Sequence, residues 1–228
     1  MKSGTASTTW VYFIPAGDIP ADLILSGESR LDRYLVQEVR RVRGEAPLMI
    51  RSGAGLIRIE SASPIRFSGH RSEGSAGRFA LRAVVQHLHY AGRSEWMNLK
   101  KIACPEPAAS AKTAAVLVPV GKSAEWWKLS QDERQILFQK TIRHEGHLGI
   151  GRRYADRIFQ RLYHARHIDP EAPYDFLAYF EFNEADAPDF RKMVSELRDI
   201  RTNPEWLYVD FEYEIWMKKV STLTKPDP

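Results

Sequence analysis

The sequence predicts an α+β protein, and three observations carry that reading. Near the C-terminal end, Val209, Phe211, Tyr213 and Ile215 alternate with Asp210, Glu212 and Glu214, the period-two pattern of a half-buried strand. Upstream, strand and helix signals take turns: strand 113–120, helix 123–165, strand 175–182, helix 187–201, strand 206–217. Helices that interrupt the strands of one sheet make a ferredoxin-like unit. The chain has 228 residues, 43% hydrophobic and 27% charged, which is enough to bury a sizeable core in one large or two small domains.

Taken in order, Trp10 to Ile14 is a short apolar run and a candidate strand. Ser29-Arg-Leu-Asp32 then reads as a helix start. Leu31, Tyr34, Leu35, Val39 and Val42 fall at i, i+3, i+4, i+8 and i+11, with Arg30, Arg33, Arg40, Arg41 and Arg43 on the opposite, solvated face. Leu56 to Glu60 is a weaker strand candidate, and Phe79 to Tyr90 a better one. Ser61 to Gly77 is a Gly/Ser-rich loop and Pro105 to Lys112 an Ala/Pro-rich one. Thr113 to Val120 is a continuous apolar run with only Pro119 near its end, as in a buried strand. The helical stretch 123–165 contains a capping box, Ser130-Gln-Asp-Glu133, and breaks near Gly149 and Gly151. Asp175 to Phe182 is an aromatic-rich strand. Asp186 with Pro188 opens a helix whose apolar stripe is Phe190, Met193, Val194 and Leu197, with Ile200 near its end. This divides the chain into residues 1–112 and 113–228, the first half offering strands around a helix as a degenerate second copy.

Composition excludes several function classes. The net charge is +4, and the basic cluster of residues 30–43 comes without a base-stacking motif or zinc-finger spacing, so no nucleic-acid partner is expected. The apolar run at Trp10 to Ile14 is too short for a signal sequence and nothing approaches a membrane span, so the expected location is cytoplasmic. Cys104 is the single cysteine, so no intrachain disulfide forms; its Cys-Pro setting suits either a haem thiolate or an ordinary loop residue.

The histidines carry the chemistry. In Arg143-His-Glu-Gly-His147 the two His lie at i and i+3, so the i, i+4 pair of a zinc metalloprotease is missing. Haem asks less: one neutral imidazole whose other ring nitrogen is held by an acceptor. Taken alone, a histidine such as His147 is more often a surface or capping residue than a haem ligand. His87 and His89 share one face of a strand and read as a structural pair or as groups reaching a pocket.

A wider pattern surrounds His147. Val118-Pro-Val-Gly-Lys-Ser-Ala-Glu-Trp-Trp127 is followed by Gln131-Asp-Glu-Arg134, His147, Arg161-Leu-Tyr-His164, Tyr174-Asp-Phe-Leu177, Phe180-Glu-Phe182 and Glu205-Trp206. From about residue 79 to 216 this resembles short members of the chlorite dismutase family. The resemblance implies a dimeric α+β barrel made of two ferredoxin-like units, assembled as a homodimer or higher homo-oligomer. It implies haem b, with His147 on the iron, Trp126 and Trp127 bordering the haem, and Lys122 pairing with a propionate. It implies a haem-dependent oxidoreductase acting on a small oxidant: chlorite, peroxide or a nitrogen oxide.

Two departures stand out. The family's distal residue, thirteen beyond the ligating His, is Arg in chlorite dismutases and Gln160 here. Losing a fixed cation that stabilises an anion typically costs on the order of 10²–10³ in rate. Arg157 and Arg161 are near in sequence and reach the pocket only if the local register shifts. The acceptor for the ligating His is also displaced: Arg201 and Thr202 fill the expected places, and Glu205 serves if its loop folds back. Gly151, Arg152, Tyr154 and Gln160 also resemble coprohaem decarboxylases, but Val118 stands where those enzymes carry a radical-forming Tyr. Alternatives to the dismutase-like reading are therefore a coprohaem decarboxylase-like enzyme, a haem-binding or gas-sensing protein without turnover, and a haem-free barrel.

Overall fold

The computed structural model describes residues 9–18, 30–62, 64–65, 81–85, 101, 103–107, 111, 113–168 and 172–223. Its strands are β1 (Trp10–Pro15), β2 (Arg30–Arg43), β3 (Gly55–Ser61), β4 (Leu81–Val85), β5 (Ala114–Lys122), β6 (Phe159–His164), β7 (Phe176–Phe182) and β8 (Val209–Leu223). They close into one antiparallel barrel in the order β1-β3-β2-β8-β5-β7-β6-β4. Closure removes the sheet edges that would otherwise invite further strands. Each half supplies four adjacent strands in the same relative order, β4-β1-β3-β2 and β8-β5-β7-β6. The halves join through β2–β8 and β4–β6.

Among the described residues four α-helices follow β5: α1 (Ala124–Lys128), α2 (Gln131–Phe138), α3 (Gly146–Arg153) and α4 (Ala187–Arg198). Ser123 caps α1, and Ser130 with Glu133 forms the reciprocal capping box of α2. The stripe Phe190, Met193, Val194 and Leu197 of α4 is buried. Ile200 lies past the helix end and is 46% exposed.

Two segments differ from their sequence reading. Residues 30–43 form a strand, not a basic amphipathic helix. Register shifts against β8 fall between Arg33/Tyr34, Val36/Glu38 and Arg41/Arg43. Each irregularity breaks the period-two alternation and produces spacings of three and four that imitate a helix. Leu35, counted in the apolar stripe, is 45% exposed, while Val36, outside it, is buried.

The stretch 123–165 is three short helices and a strand, not one broken helix. The break lies at 139–145, and Gly149 and Gly151 stay inside α3. Its cause is Gly146, which takes φ +65° so that α3 turns back against the end of α2. A Cβ there would sit 2.5 Å from the Gln139 carbonyl oxygen and 2.6 Å from that of Phe138. Beyond α3 the pattern changes to period two. Phe159 and Tyr163 join the barrel core, while Gln160, Leu162 and His164 face outward.

The barrel interior is filled by residues of both halves, among them Val11, Phe13, Leu56, Leu117, Tyr179 and Ile215. It also holds a buried polar network. Arg58 reaches Asp32 (3.4 Å) and Glu60 (2.6 Å), and Lys219 reaches Glu181 (2.9 Å). Burial opposes the charge on Glu60, but Arg58 and Arg161 outweigh it and hold the carboxyl at about 2. A second apolar layer lies outside, where α4 packs Phe190, Met193, Val194 and Leu197 onto Val116, Val118, Phe180, Phe182 and Trp216.

Strand register turns the outer face of the second half into a grid. Its first row is His164, Phe176, Val120 and Glu212. The second row is Leu162, Ala178, Val118 and Glu214, and the third is Gln160, Phe180, Val116 and Trp216. This grid is the floor on which the candidate site is built.

Candidate functional site

Between that floor and the helices lies a cavity of about 520 Å³, a volume typical of small-molecule and cofactor sites. The floor contributes Val118, Val120, Gln160, Leu162, His164, Phe176, Ala178, Phe180 and Glu212. The helical side contributes Trp126, Trp127, Arg134, Phe138, His147, Leu148, Val194, Leu197 and Arg198. Lys122, Glu205, Trp206, Arg166 and His167 complete the rim and one end.

His147 is the second residue of α3, and its side chain is 33% exposed. Its Nδ1 bonds Glu205 Oε2 at 3.1 Å, which leaves Nε2 as the ring nitrogen available to the cavity. Glu205 belongs to a 3-10 turn, Pro204–Tyr208, which does fold back beneath α3. The turn is tied in by Gly146 N–H donating to the Thr202 carbonyl at 3.0 Å. The other oxygen of Glu205 accepts from Lys122 Nζ at 2.5 Å. Burial would raise the Glu205 carboxyl, but the Lys122 ammonium and the His147 hydrogen bond more than offset this and hold it at about 2. A fixed carboxylate behind an imidazole sets its tautomer and makes it a stronger electron donor.

The sequence reading has Lys122 meeting a carboxylate of the cofactor; in the structure its ammonium holds Glu205, and its side chain is 2% exposed. The reason is local: the β5 strand ends beside the 204–208 turn, and the Nζ lies 4.5 Å from the Trp126 ring centre and 5.7 Å from that of Trp206.

Trp126 is 2% exposed and packs edge-on against Phe138, whose ring lies 6.0 Å from that of His147. Trp127 stacks on Phe176 of the floor, with the Arg166 guanidinium 3.6 Å above its ring. Its Nε1 is buried without a partner among the described residues. Arg134 clamps both tryptophans through their carbonyl oxygens, at 3.1 and 3.0 Å.

Gln160 stands on the floor, on β6 and not on a helix. Its Nε2 donates to the Gly151 carbonyl at 2.9 Å, one turn after His147 on α3. Gly151 permits this approach: a Cβ there would meet Gln160 Oε1 at 3.0 Å. Arg161 lines the cavity but is committed to Glu60 (2.9 Å) and Glu106 (3.3 Å), and Arg157 is bound to Asp189. Cys104 is not among the lining residues; it packs beside the barrel core, where burial pushes its thiol up. His87 and His89 lie outside the described residues.

Sequence reasoning missed Phe138, Arg198 and Glu212, although the period-two pattern of β8 puts Glu212 on the same face as Glu214 and Trp216. Among the described residues no group of three or more His, Cys, Asp or Glu is arranged to hold a metal ion. What the arrangement offers is one carboxylate-oriented imidazole on the wall of an apolar cavity. It suits a metal that arrives with other ligands of its own.

An antiparallel eight-stranded barrel with this imidazole in an outer-wall cavity defines the class. No family model matches the chain. It is 26% identical over 125 residues to a chlorite dismutase of Ideonella dechloratans, a match that spans 54% of this chain and 40% of that relative. The dimeric chlorite dismutase structure from Nitrobacter winogradskyi is 28% identical over 91% of this chain and 98% of its own, with a TM-score of 0.65. The imidazole complex of chlorite dismutase from Candidatus Nitrospira defluvii covers 95% of this chain and 92% of its own at 16% identity and TM-score 0.61, a likeness of fold. In sequence and in fold the chain resembles chlorite dismutases.

Proposed function

We propose that this protein binds haem b and acts as an oxidoreductase on a small oxidant, with chlorite the first substrate to test. The observation that carries the reading is the His147–Glu205 pair on the wall of an apolar cavity, with Nδ1 of the imidazole held by the carboxylate and its Nε2 left for a ligand. The cavity fits the cofactor on a second count. Trp127 Nε1 is a buried donor in want of an acceptor, beside Arg134 and Arg166, a donor set suited to haem carboxylates. When bound, the haem iron would supply the redox chemistry.

The protein's own residues divide the remaining work. His147 would be the metal ligand; Glu205 orients it and Lys122 holds Glu205. Trp126, Phe138 and Leu148 exclude water around the imidazole. Gln160 is the residue proposed to face the reacting oxidant. It can orient an oxygen but brings no charge, so chlorite turnover should be slow beside that of an Arg-bearing relative.

A second reading is a haem-binding or gas-sensing protein without turnover. It is favoured by the amide of Gln160, which brings no charge and has one of its two N–H donors bound to the Gly151 carbonyl. Coprohaem decarboxylation is less supported, because Val118 sits mid-floor where a phenol would be needed. The identical strand order of the two halves supports two ferredoxin-like units, 1–112 and 113–228, and the dimeric relative supports a homodimer.

The test is a haem titration of the wild type beside His147→Ala, followed by ferrous–CO spectra. Near-stoichiometric binding with a His-ligated Soret spectrum, lost in the variant, supports the reading. Equal spectra for both proteins overturn the role of His147, and no binding by either overturns the haem reading.

A further inference from the structure

Among the polar groups of the floor grid, Glu212 has no part in the reading above. Glu212 stands at the end of the first row, on the strand opposite the β6 edge. It is 1% exposed and lines the cavity. Its Oε1 accepts from Arg198 Nε at 3.0 Å and Nη2 at 2.5 Å. Its Oε2 is buried and has no partner among the described residues.

The charges around Glu212 do not balance in its favour. Arg198, from the end of α4, is shared: the same Nη2 serves Glu214 at 2.5 Å. Glu214 has further donors of its own in Trp216 Nε1 (2.8 Å) and the half-exposed Arg40 of β2 (2.9 Å). Arg43 of β2 faces the same region, but its Nη1 is bound to the carbonyl oxygens of Val209 and Trp206. Lys122 of β5 also lines the cavity and is taken by Glu205 of the 204–208 turn, which in turn holds His147 of α3. Burial, the largest influence, opposes ionisation of Glu212; Arg198 and, less strongly, the charge of Arg43 work against burial, Glu214 works with it, and the carboxyl is pushed up.

We infer that Glu212 is a hydrogen-bond donor of the cavity floor, carrying on Oε2 a proton that it offers to an acceptor oxygen of the molecule bound there. An ionised Oε2 would be a buried, unsatisfied acceptor next to a second carboxylate, which is costly. A protonated Oε2 is a donor that lacks only its acceptor. The acceptor chemistry is a carboxylate or other oxyanion. It can come from a haem carboxylate or from a small anion held at the iron, and that assignment rests on the haem reading. One N–H of the Gln160 amide is engaged on α3, and Glu212 adds a donor at the floor's polar corner opposite β6.

Infrared spectroscopy of the haem-free protein tests the proton directly, independently of any cofactor. A carboxylic-acid C=O band at pH 7, lost in Glu212→Gln, is expected; its absence from the wild type overturns the inference. Titrations with haem b, and with formate on the haem-loaded protein, then locate the acceptor. Glu212→Ala should weaken one of them about three- to tenfold, the loss of one hydrogen bond, with Glu212→Gln retaining most of the affinity through its amide donor. An effect on haem b assigns the acceptor to the haem carboxylate, and an effect confined to formate assigns it to the small anion. Unchanged affinity for both overturns the inference even if the infrared band is present. Failure of haem to bind the wild type, with the band intact, overturns the haem reading and leaves the proton on Glu212 standing.

Discussion

Replacing Glu205 by Ala should destabilise the protein by about 3–5 kcal/mol, because it strands a buried ammonium. Glu205 is 3% exposed and bridges Lys122 at 2.5 Å and His147 at 3.1 Å. Without it, Lys122, whose side chain is 2% exposed, keeps only the faces of Trp126 and Trp206. In a chain of this length the loss corresponds to a fall in Tm of roughly 6 to 20 °C. The pair is not required for stability in itself, so Lys122→Met with Glu205→Leu should recover most of the loss, to within about 2 kcal/mol of wild type. Urea unfolding of the two single variants and the double variant measures this. Acid adds an independent check. The folded carboxyl is held at about 2 against an ordinary 4.5, so its contribution is complete above pH 4.5 and is lost as pH falls toward 2. That part amounts to roughly 3 kcal/mol and should be missing from the pH profile of Glu205→Gln. A cost below about 1 kcal/mol for Glu205→Ala, or a double variant that loses the sum of the singles, would refute a buried charge relay.

Three further outcomes are expected. Gln160→Arg should raise chlorite turnover by about 10²–10³, followed by oxygen release; unchanged turnover with haem bound would remove charge at this position as the deciding factor. Gly146→Ala should cost at least about 2 kcal/mol and weaken haem binding, since its Cβ meets two backbone carbonyl oxygens that cannot move aside; wild-type melting and haem affinity would show that the α2–α3 turn is not what positions His147. Phe190→Ala should cost about 3–5 kcal/mol by urea unfolding, as the ring is fully buried between Phe182, Phe180 and Trp216; a loss near 1 kcal/mol would mean that α4 collapses to fill the space.

Much of this arrangement is legible residue by residue. The alternation of Val209 to Ile215, the apolar run at 113–120 and the stripe of α4 are local patterns, and β8, β5 and α4 lie where they point. The capping box at Ser130 is likewise satisfied by groups within four residues. Arg30–Arg43 misled because its bulges are imposed by pairing with β8, nearly two hundred residues away, and a local period cannot register a distant partner. Phe159–His164 misled because its strand character comes from β7 and β4, while its sequence neighbours are helical.

The sequence by itself determined which chemistry was available: one histidine in a family-like setting, a tryptophan pair, and glutamine in place of arginine thirteen residues on. Only the tertiary structure decided how those groups are used. It brought Glu205 to His147 across 58 residues and Lys122 to Glu205 across 83. It bound the amide of Gln160 to Gly151 and left one oxygen of Glu212 open on the same floor. Hydrogen-bond partners of buried groups are chosen by which strands and turns come within about 3 Å, and that distance is set by barrel closure and not by spacing along the chain.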